Sequence, residues 1–187
     1  METERLILRP FRKGDEEDLY EYLKEPLVHC FVGMKLNSLE EAEKAVEDRM
    51  KNDRYYFAIT LKETGKVIGE IDAWPESSRP DAQDAQQKDT FSPCWMLHKD
   101  YHGKGYAYEA AGAFLDYLFR EQGARRIYAY TEDYNLPSQH LCERLGMRRE
   151  GLYLEYVTFI NDEAGNPIYE NTCQYAILKK EWEARTW

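Results

Sequence analysis

The sequence has few of the residues that build disulfide frameworks or metal sites. Its four cysteines lie far apart and show no CxxC spacing, and its four histidines show no spacing typical of metal ligands. We therefore expect no metal site and no dense disulfide framework, with thiols that are reduced and mostly buried. These residues are Cys30, Cys94, Cys142, Cys173, His29, His98, His102 and His140.

Long apolar runs are also missing. The first twenty residues, METERLILRPFRKGDEEDLY, carry charges where a signal peptide needs an apolar segment. No run approaches the roughly 18 apolar residues that a membrane span requires. These absences predict a cytoplasmic protein with no membrane partner.

Positive charge is scarce relative to negative charge. The chain has 25 Lys and Arg against 35 Asp and Glu, a formal net charge of −10. Such a surface repels the phosphates of a nucleic acid and attracts a cationic acceptor. The 187 residues, of which 43% are hydrophobic, suffice to bury a substantial core. We expect one domain over residues 1–187 and no nucleic-acid partner.

The hydrophobic pattern predicts an alternation of strands and helices. Strands are predicted at 4–11, 55–61, 66–74, 90–98, 126–131, 148–160 and 167–178. Helices are predicted after Asp15, after Ser38 (which forms a capping box with Glu41), after Gly105 and after Asn135. Residues 27–37 are expected to form a loop with a helical turn, and the polar residues 75–89 a long exposed loop. The order indicates an α/β (mixed α+β) fold in which a mixed, mostly antiparallel sheet of about seven strands is flanked by about four helices.

One stretch, WMLHKDYHGKGYAYE, runs from a strand end through two glycines into a helix. The first N–H groups of a helix have no partner within it, so a helix that follows a glycine turn can bind a phosphate. The alternative is a tight connection in which Gly103 and Gly105 supply unusual backbone angles. The glycines alone do not decide between these two readings.

Three stretches, taken in order, resemble the GNAT superfamily of acyl-CoA-dependent N-acyltransferases, and within it the ribosomal-protein-alanine N-acetyltransferase branch. They are ETERLILRPF followed by DEEDL, then HKDYHGKGYAYEA, then NLPSQHLCERLGMRREG; the final YAILKKEW resembles the closing strand of that branch. The resemblance implies that acetyl-CoA is a co-substrate and that an acetyl group moves to a primary amine by direct attack in a ternary complex.

The resemblance leaves the amine acceptor open. It is either a protein N-terminus, such as that of a ribosomal protein, or a small molecule such as a polyamine, an amino acid or an antibiotic. An acyl-CoA-binding module without catalysis is the alternative from another class. The oligomeric state is monomer or homodimer.

Cofactor-binding residues also follow from the resemblance. It implies that the pyrophosphate of acetyl-CoA lies on the turn formed by His102, Gly103, Lys104, Gly105, Tyr106 and Ala107, where His102 replaces the Gln or Arg of the family. The backbone of Met96 and Leu97 would pair with the pantetheine arm. Asn135 and Ser138 would lie beside the pantetheine and its thiol.

Acetyl transfer to an amine needs a base for the amine and a proton for the departing thiolate. The resemblance makes Glu155 the first candidate for the base. Glu70 and Asp72 alternate with Ile71 on an earlier strand and would share one face, and they are the second choice. It makes Ser138 the candidate acid, because Cys142 stands where many members have tyrosine. A solvated glutamate and a helix-cap hydroxyl are the alternative roles of Glu155 and Ser138. We expect Cys142 to be a small core residue.

Overall fold

A computed structural model describes residues 1–77 and 88–185 of the chain. The strands are Leu6–Arg9 (β1), Tyr56–Leu61 (β2), Val67–Ser77 (β3), Lys88–Leu97 (β4), Arg126–Glu132 (β5), Arg148–Asn161 (β6) and Pro167–Leu178 (β7). The α-helices are Glu16–Leu23 (α1), Leu39–Met50 (α2), Tyr106–Arg120 (α3), Leu136–Arg144 (α4) and Lys179–Glu183 (α5), and 3-10 turns lie at His29–Met34 and Lys99–Tyr101. The strands form one sheet in the order β1-β2-β3-β4-β5-β7-β6, in which the β4–β5 pair is parallel and the other pairs are antiparallel.

These elements confirm the predicted fold class, with seven strands and four long helices. The first strand, Leu6–Arg9, is shorter than the predicted 4–11. The 3-10 turn His29–Met34 lies within the predicted loop 27–37. Helix α5 was not predicted, because its five residues are too few to show a helical period.

Helices pack on both faces of the sheet. Helices α3, α4 and α5 cover one face, where the buried Phe114 of α3 belongs to the same apolar cluster as Ile71 of β3. Helices α1 and α2 cover the other face, where Leu19 and Val46 are completely buried. Strands β2, β3 and β4 contribute buried side chains to both clusters, because successive side chains of a strand point to opposite faces.

A buried ion pair fastens α2 to the sheet. The Arg49 guanidinium donates to both carboxylate oxygens of Glu70, from Nε at 2.8 Å and from Nη2 at 3.0 Å. The hydroxyls of Tyr22 and Tyr56 donate to the same carboxylate at 3.0 and 2.9 Å. Glu70 is only 2% exposed, so these four hydrogen bonds take the place of its hydration shell.

The sheet splits between β4 and β5. Within the described residues these strands pair only at Thr90 with Arg126 and at Phe91 with Ile127. Two residues farther along β4 stands Pro93, which has no N–H group to donate to β5. From there to the end of β4, its edge toward β5 carries no strand partner. The position of this proline gives a sequence-level reason for the split.

The predicted loop 75–89 is wrong at both ends. β3 continues to Ser77 and β4 begins at Lys88, while residues 78–87 lie outside the described part of the chain. The polar composition suggested a loop, but pairing between the two strands overrides it. Pro75 is tolerated because its nitrogen points away from the β3–β4 ladder and β2 has already ended there.

Two predicted helix caps differ in detail from expectation. Asp15 occupies the N-cap position of α1 but makes no capping hydrogen bond, because its carboxylate instead binds the Arg9 guanidinium at 2.7 and 2.8 Å. Ser38 caps α2 as predicted, accepting from the Glu41 N–H at 3.2 Å. The Glu41 carboxylate accepts from the Asn37 N–H instead of that of Ser38, so the capping box is only half formed.

Candidate active site

A cavity of about 1230 Å³ occupies the split between β4 and β5 and reaches both faces of the sheet. One end is lined by the glycine turn, together with Lys99 and Arg144. The other end is lined by the 3-10 turn and by β6, through Leu27, Val28, Cys30, Phe31, Met34, Tyr156, Val157 and Phe159. The two ends therefore differ in character: the first offers cations and backbone N–H groups, and the second is mostly apolar.

The glycine turn has the geometry of a phosphate site. Gly103 and Gly105 have φ angles of 72° and 82°, and a Cβ at Gly103 would meet nothing within 4 Å. Helix α3 starts directly after Gly105, and its first helical hydrogen bond runs from the Glu109 N–H to the Gly105 carbonyl. The N–H groups of residues 106–108 therefore precede the helical ladder and are free to bind an anion. The turn fits the pyrophosphate that the resemblance implies.

Arg5, which precedes β1, contacts the glycine turn and stabilises it, although the two are far apart in the sequence. Its Nη1 donates to the Lys104 carbonyl at 2.9 Å, and its Nε pairs with the Glu109 carboxylate at 2.7 Å. Its guanidinium also lies over the Tyr106 ring, 4.4 Å from the ring centroid. The sequence gives no signal for this contact, because Arg5 and Glu109 are 104 residues apart.

His102 ties the turn to the end of β4. Its Nε2–H donates to the Leu97 carbonyl at 2.9 Å. In the β3–β4 ladder the Met96 carbonyl points at β3, lying 2.2 Å from where a Cβ on Gly69 would stand. Backbone groups of adjacent strand residues point to opposite edges, so those of Leu97 face the split. Met96 and Leu97 both line the cavity, but only Leu97 turns its backbone toward it.

Ser138 and Asn135 lie where α4 begins, at the middle of the cavity. Asn135 is the N-cap, and its side-chain oxygen accepts from the Ser138 N–H at 3.3 Å. The Ser138 hydroxyl oxygen accepts from the Trp95 indole N–H at 3.1 Å, across the split. Because that oxygen receives a hydrogen bond, its own proton is free to be donated elsewhere. The predicted site residues from β4, the glycine turn and α4 thus line one cavity, except for Lys104, whose Nζ lies over the Tyr101 ring, 5.3 Å from the ring centroid.

Glu155 lies apart from this group. It sits in a bulge of β6 between Tyr153 and Val157, with φ at 49°, and its N–H donates to the Asn171 side chain at 2.9 Å. Its side chain is exposed, and it is not among the described residues that line the cavity. Its neighbour Tyr156 does line the cavity, so the bulge brings this part of β6 to the apolar end.

Glu70 and Asp72 share one face of β3, as predicted, but neither lines the described cavity. The Glu70 carboxylate is held by Arg49 in the ion pair described above. Burial, with a further contribution from the charge of Glu70, raises the pKa of Asp72 to about 7. Asp72 lies opposite Cys94 in the ladder and is 6% exposed.

Glu132, the last residue of β5, is a cavity-lining carboxylate that the sequence reasoning missed. It is 5% exposed, and its Oε2 accepts from the Asn135 side-chain amide at 3.4 Å. The Cys30 thiol, on the 3-10 turn, donates to the same carboxylate; burial and this hydrogen bond raise the pKa of the thiol. The position of Glu132, three residues before Asn135, is the one sequence feature that could have pointed to this carboxylate.

A second buried carboxylate, Glu170 of β7, lies on the same face of the sheet but does not line the described cavity. His29 Nδ1 lies 2.5 Å from its Oε1, and the Tyr134 hydroxyl donates to its Oε2 at 3.0 Å. These contacts attach the 3-10 turn His29–Met34 to β7.

The remaining predicted features concern thiols, metals and membranes. All four cysteines are free; Cys142 and Cys173 are buried, and Cys30 and Cys94 are half-buried. Cys142 is completely buried in the core, and its burial raises the pKa of its thiol to about 12. Over residues 1–77 and 88–185, no group of three His, Cys, Asp or Glu side chains is placed to hold a metal ion. No helix in that part of the chain is long and apolar enough to span a membrane.

Comparison with known proteins agrees with this geometry. The family described as acetyltransferase (GNAT) domain matches residues 5–148. The uncharacterized N-acetyltransferase YnaD of Bacillus subtilis (strain 168) is 29% identical over 180 residues, which cover 96% of this chain and 97% of that protein. The structure of a GNAT-family acetyltransferase from Bacillus anthracis matches with a TM-score of 0.80 at 28% identity, covering 96% of this chain and 98% of that one.

A likeness of fold alone extends to the ribosomal-protein-S5-alanine acetyltransferase of Vibrio fischeri. Its TM-score is 0.73 at 19% identity, and the match covers 97% of each chain. The family match, in contrast, spans most of the present sequence and includes β4, the glycine turn, β5 and α4. The chain therefore belongs to the GNAT family of acetyltransferases and is an N-acetyltransferase enzyme.

Proposed function

We propose that the enzyme transfers the acetyl group of acetyl-CoA to a primary amine by direct attack in a ternary complex, and that the acceptor is the N-terminal amine of a protein, such as a ribosomal protein. The observation that carries this proposal is the open split, which leads from the glycine turn to Ser138. The resemblance to the ribosomal-protein-alanine branch supports the choice of acceptor. A small-molecule amine, such as a polyamine, an amino acid or an antibiotic, is the alternative.

Acetyl-CoA would bind along the split. The N–H groups at the start of α3 receive the pyrophosphate, and Lys99 and Arg144 add positive charge at that end. The pantetheine arm lies along the unpaired edge of β4, where the Leu97 backbone faces the split. The thioester would then lie next to Ser138 and Trp95, between the two ends of the cavity.

The acceptor would approach from the opposite, mostly apolar end. Its nitrogen attacks the thioester carbonyl carbon, and the carbon–sulfur bond then breaks. The Ser138 hydroxyl, oriented by the Trp95 indole, gives its proton to the departing thiolate. An α-amine has a pKa of about 7.7–8.0, against about 10.4 for lysine, so far more of it is unprotonated at neutral pH. That difference favours a protein N-terminus over a lysine side chain.

The net charge of −10 supports a cationic acceptor, because it raises the local concentration of amines near the surface. Free cysteines support a reducing compartment, and we place the reaction in the cytoplasm on that ground. The resemblance supports Glu155 as the base, and the variant Glu155→Gln tests this role against that of a carboxylate inside the split.

The test measures thiol release from acetyl-CoA with peptides that begin with Ala or Ser, with spermidine and with tyramine. We expect the peptides to give the highest kcat/KM. A preference for spermidine or tyramine would instead select the small-molecule alternative. Absence of both CoA binding and thiol release in the wild-type chain would refute acetyl transfer itself. Glu155→Gln should lower kcat/KM if Glu155 acts as the base, and unchanged turnover would remove it from that role.

A further inference from the structure

We propose that Glu132 is the group that takes the proton from the attacking amine, an inference that rests on the proposed acetyl transfer. Four carboxylates line the cavity in the described part of the chain: Glu21, Glu25, Asp100 and Glu132. The side chains of Glu21 and Asp100 are 46% and 71% exposed, and Glu25 is also exposed. Glu132 is the one that is buried, and it stands at the middle of the split.

The partners of Glu132 leave its carboxylate able to receive a proton or an ammonium group. The Asn135 amide and the Cys30 thiol are both neutral donors, and the thiol is a weak one. Within residues 1–77 and 88–185 no Lys, Arg or His forms an ion pair with it. A buried carboxylate without a cationic partner favours the arrival of a cation. The protonated form of an amine acceptor is such a cation.

Asn135 fixes the position of Glu132 relative to Ser138. The Asn135 amide nitrogen donates to Glu132 at 3.4 Å, while its amide oxygen accepts from the Ser138 N–H at 3.3 Å. One side chain therefore holds the carboxylate and the hydroxyl at the same helix start. Cys30 of the 3-10 turn contacts Glu132 from the acceptor end, and Trp95 of β4 contacts Ser138 from across the split. The base thus faces the acceptor and the acid faces the thioester.

The proton balance of the reaction closes with these two groups. A bound ammonium group first releases one proton to solvent. The neutral amine nitrogen then forms the new bond to the carbonyl carbon and gives up one proton to Glu132. The carbon–sulfur bond breaks, and the sulfur takes a proton from the Ser138 hydroxyl. Proton return from Glu132 to Ser138 through water restores both groups. The products are an amide and a free thiol, and no oxidant or further reactant is needed.

Other carboxylates near the split are less suited to this role. Asp72 does not line the described cavity, and Glu155 is exposed in the bulge of β6. Glu170 is as well buried as Glu132, at 8% exposed, but it is engaged by His29 and Tyr134. This makes Glu170 the matched control, because it offers the same substitution at similar burial on the neighbouring strand.

The experiment compares wild type, Glu132→Gln, Glu132→Asp and Glu170→Gln in thiol release from acetyl-CoA. The amines are the Ala and Ser peptides, spermidine and tyramine, and basal hydrolysis of acetyl-CoA serves as a readout without an amine. We expect Glu132→Gln to lower kcat/KM at pH 7 by roughly 100-fold, within the range for loss of a general base. Because the amine deprotonates unaided at higher pH, the loss should shrink toward pH 10. Glu132→Asp should recover part of the rate.

The two controls separate catalysis from structure. Acetyl-CoA binding, measured by calorimetry, should change less than twofold in Glu132→Gln, and Glu170→Gln should stay within threefold of wild-type turnover. Glu132→Gln turnover within threefold of wild type would overturn the inference while leaving acetyl transfer intact. A loss that is the same at every pH, or that Glu170→Gln shares, would overturn it in favour of a structural role. A wild-type chain that neither binds CoA nor releases thiol would refute the proposed function and this inference together.

Discussion

Replacing Asp72 by Asn should change how stability depends on pH. Asp72 is 6% exposed, it lies beside Glu70, Cys94 and Tyr56, and its pKa is raised from 3.8 to about 7, mainly by burial. Arg49 only partly offsets this. Between pH 3.8 and pH 7 the Asp72 carboxyl is mostly protonated in the folded state and mostly ionised in the unfolded chain. The folded state therefore loses stability as pH rises between these two pKa values.

The magnitude follows from the shift. One pKa unit corresponds to about 1.4 kcal/mol, so from pH 4.5 to pH 8 Asp72 should lower the free energy of unfolding by about 3 kcal/mol. The measurement is urea unfolding of wild type and Asp72→Asn across this range, followed by tryptophan fluorescence. The free energy of unfolding of Asp72→Asn should increase relative to that of wild type as pH rises. The cost of burying the amide is the same at every pH and does not affect this trend.

A carboxyl of the opposite kind provides the control. Hydrogen bonds from Asn166 and its neighbours in the β6–β7 turn lower the pKa of Asp162. Its contribution to stability is therefore fully present above the unfolded pKa of 3.8 and is lost only as pH falls below it, so the difference between wild type and Asp162→Asn should stay flat from pH 4.5 to pH 8. A flat difference between wild type and Asp72→Asn, or one that favours wild type at high pH, would refute the reasoning for Asp72.

Three further predictions concern the ion pair, the glycines and the proposed acid. Arg49→Met leaves the Glu70 charge buried without its cation, so the free energy of unfolding should fall by about 3–5 kcal/mol, and a loss under 1 kcal/mol would contradict this. Gly69→Ala puts a Cβ 2.2 Å from the Met96 carbonyl and should destabilise the chain or prevent folding, whereas Gly112→Ala in α3 meets no atom within 4 Å and should stabilise by about 0.5–1 kcal/mol in the same unfolding assay. Equal changes in the free energy of unfolding for Gly69→Ala and Gly112→Ala would show that β3 and β4 are not in close contact at Gly69. Ser138→Ala should lower kcat for thiol release by roughly 100-fold with acetyl-CoA binding retained, and an unchanged kcat would remove Ser138 as the acid.

The fold could be predicted from the sequence where local pattern decides it. The helix beginning after Gly105 has apolar residues at helical spacing, and the two strands 148–160 and 167–178 flank a turn rich in Asn, Asp and Gly. Both were predicted close to their observed bounds. The end of β3 and the start of β4 were not predicted. The polar residues there are strand because the two strands pair with each other, and a short stretch of sequence does not show that pairing.

The candidate site was predictable only in part. The glycine turn and Ser138 follow from motifs that are local in sequence. The hydrogen bond from Trp95 to Ser138, the brace from Arg5 and the place of Glu132 beside Cys30 join residues that are far apart or carry no pattern. Pro93 was visible in the sequence, but its meaning depends on which strand lies next to β4, and a parallel neighbour cannot be read from local composition.

The narrow junction between β4 and β5 divides the sheet into two half-sheets. Strands β1–β4 come from the first half of the chain, and β5, β7 and β6 come from the second half. Within each half, neighbouring strands are joined antiparallel, which suits early folding through contacts close in sequence. Acetyl-CoA in the split would supply backbone partners that β4 lacks, and it would bind only when the two halves are docked. Release of acetyl-CoA and separation of the two half-sheets are therefore linked equilibria. Saturating acetyl-CoA should raise the midpoint of unfolding and make the unfolding transition more cooperative.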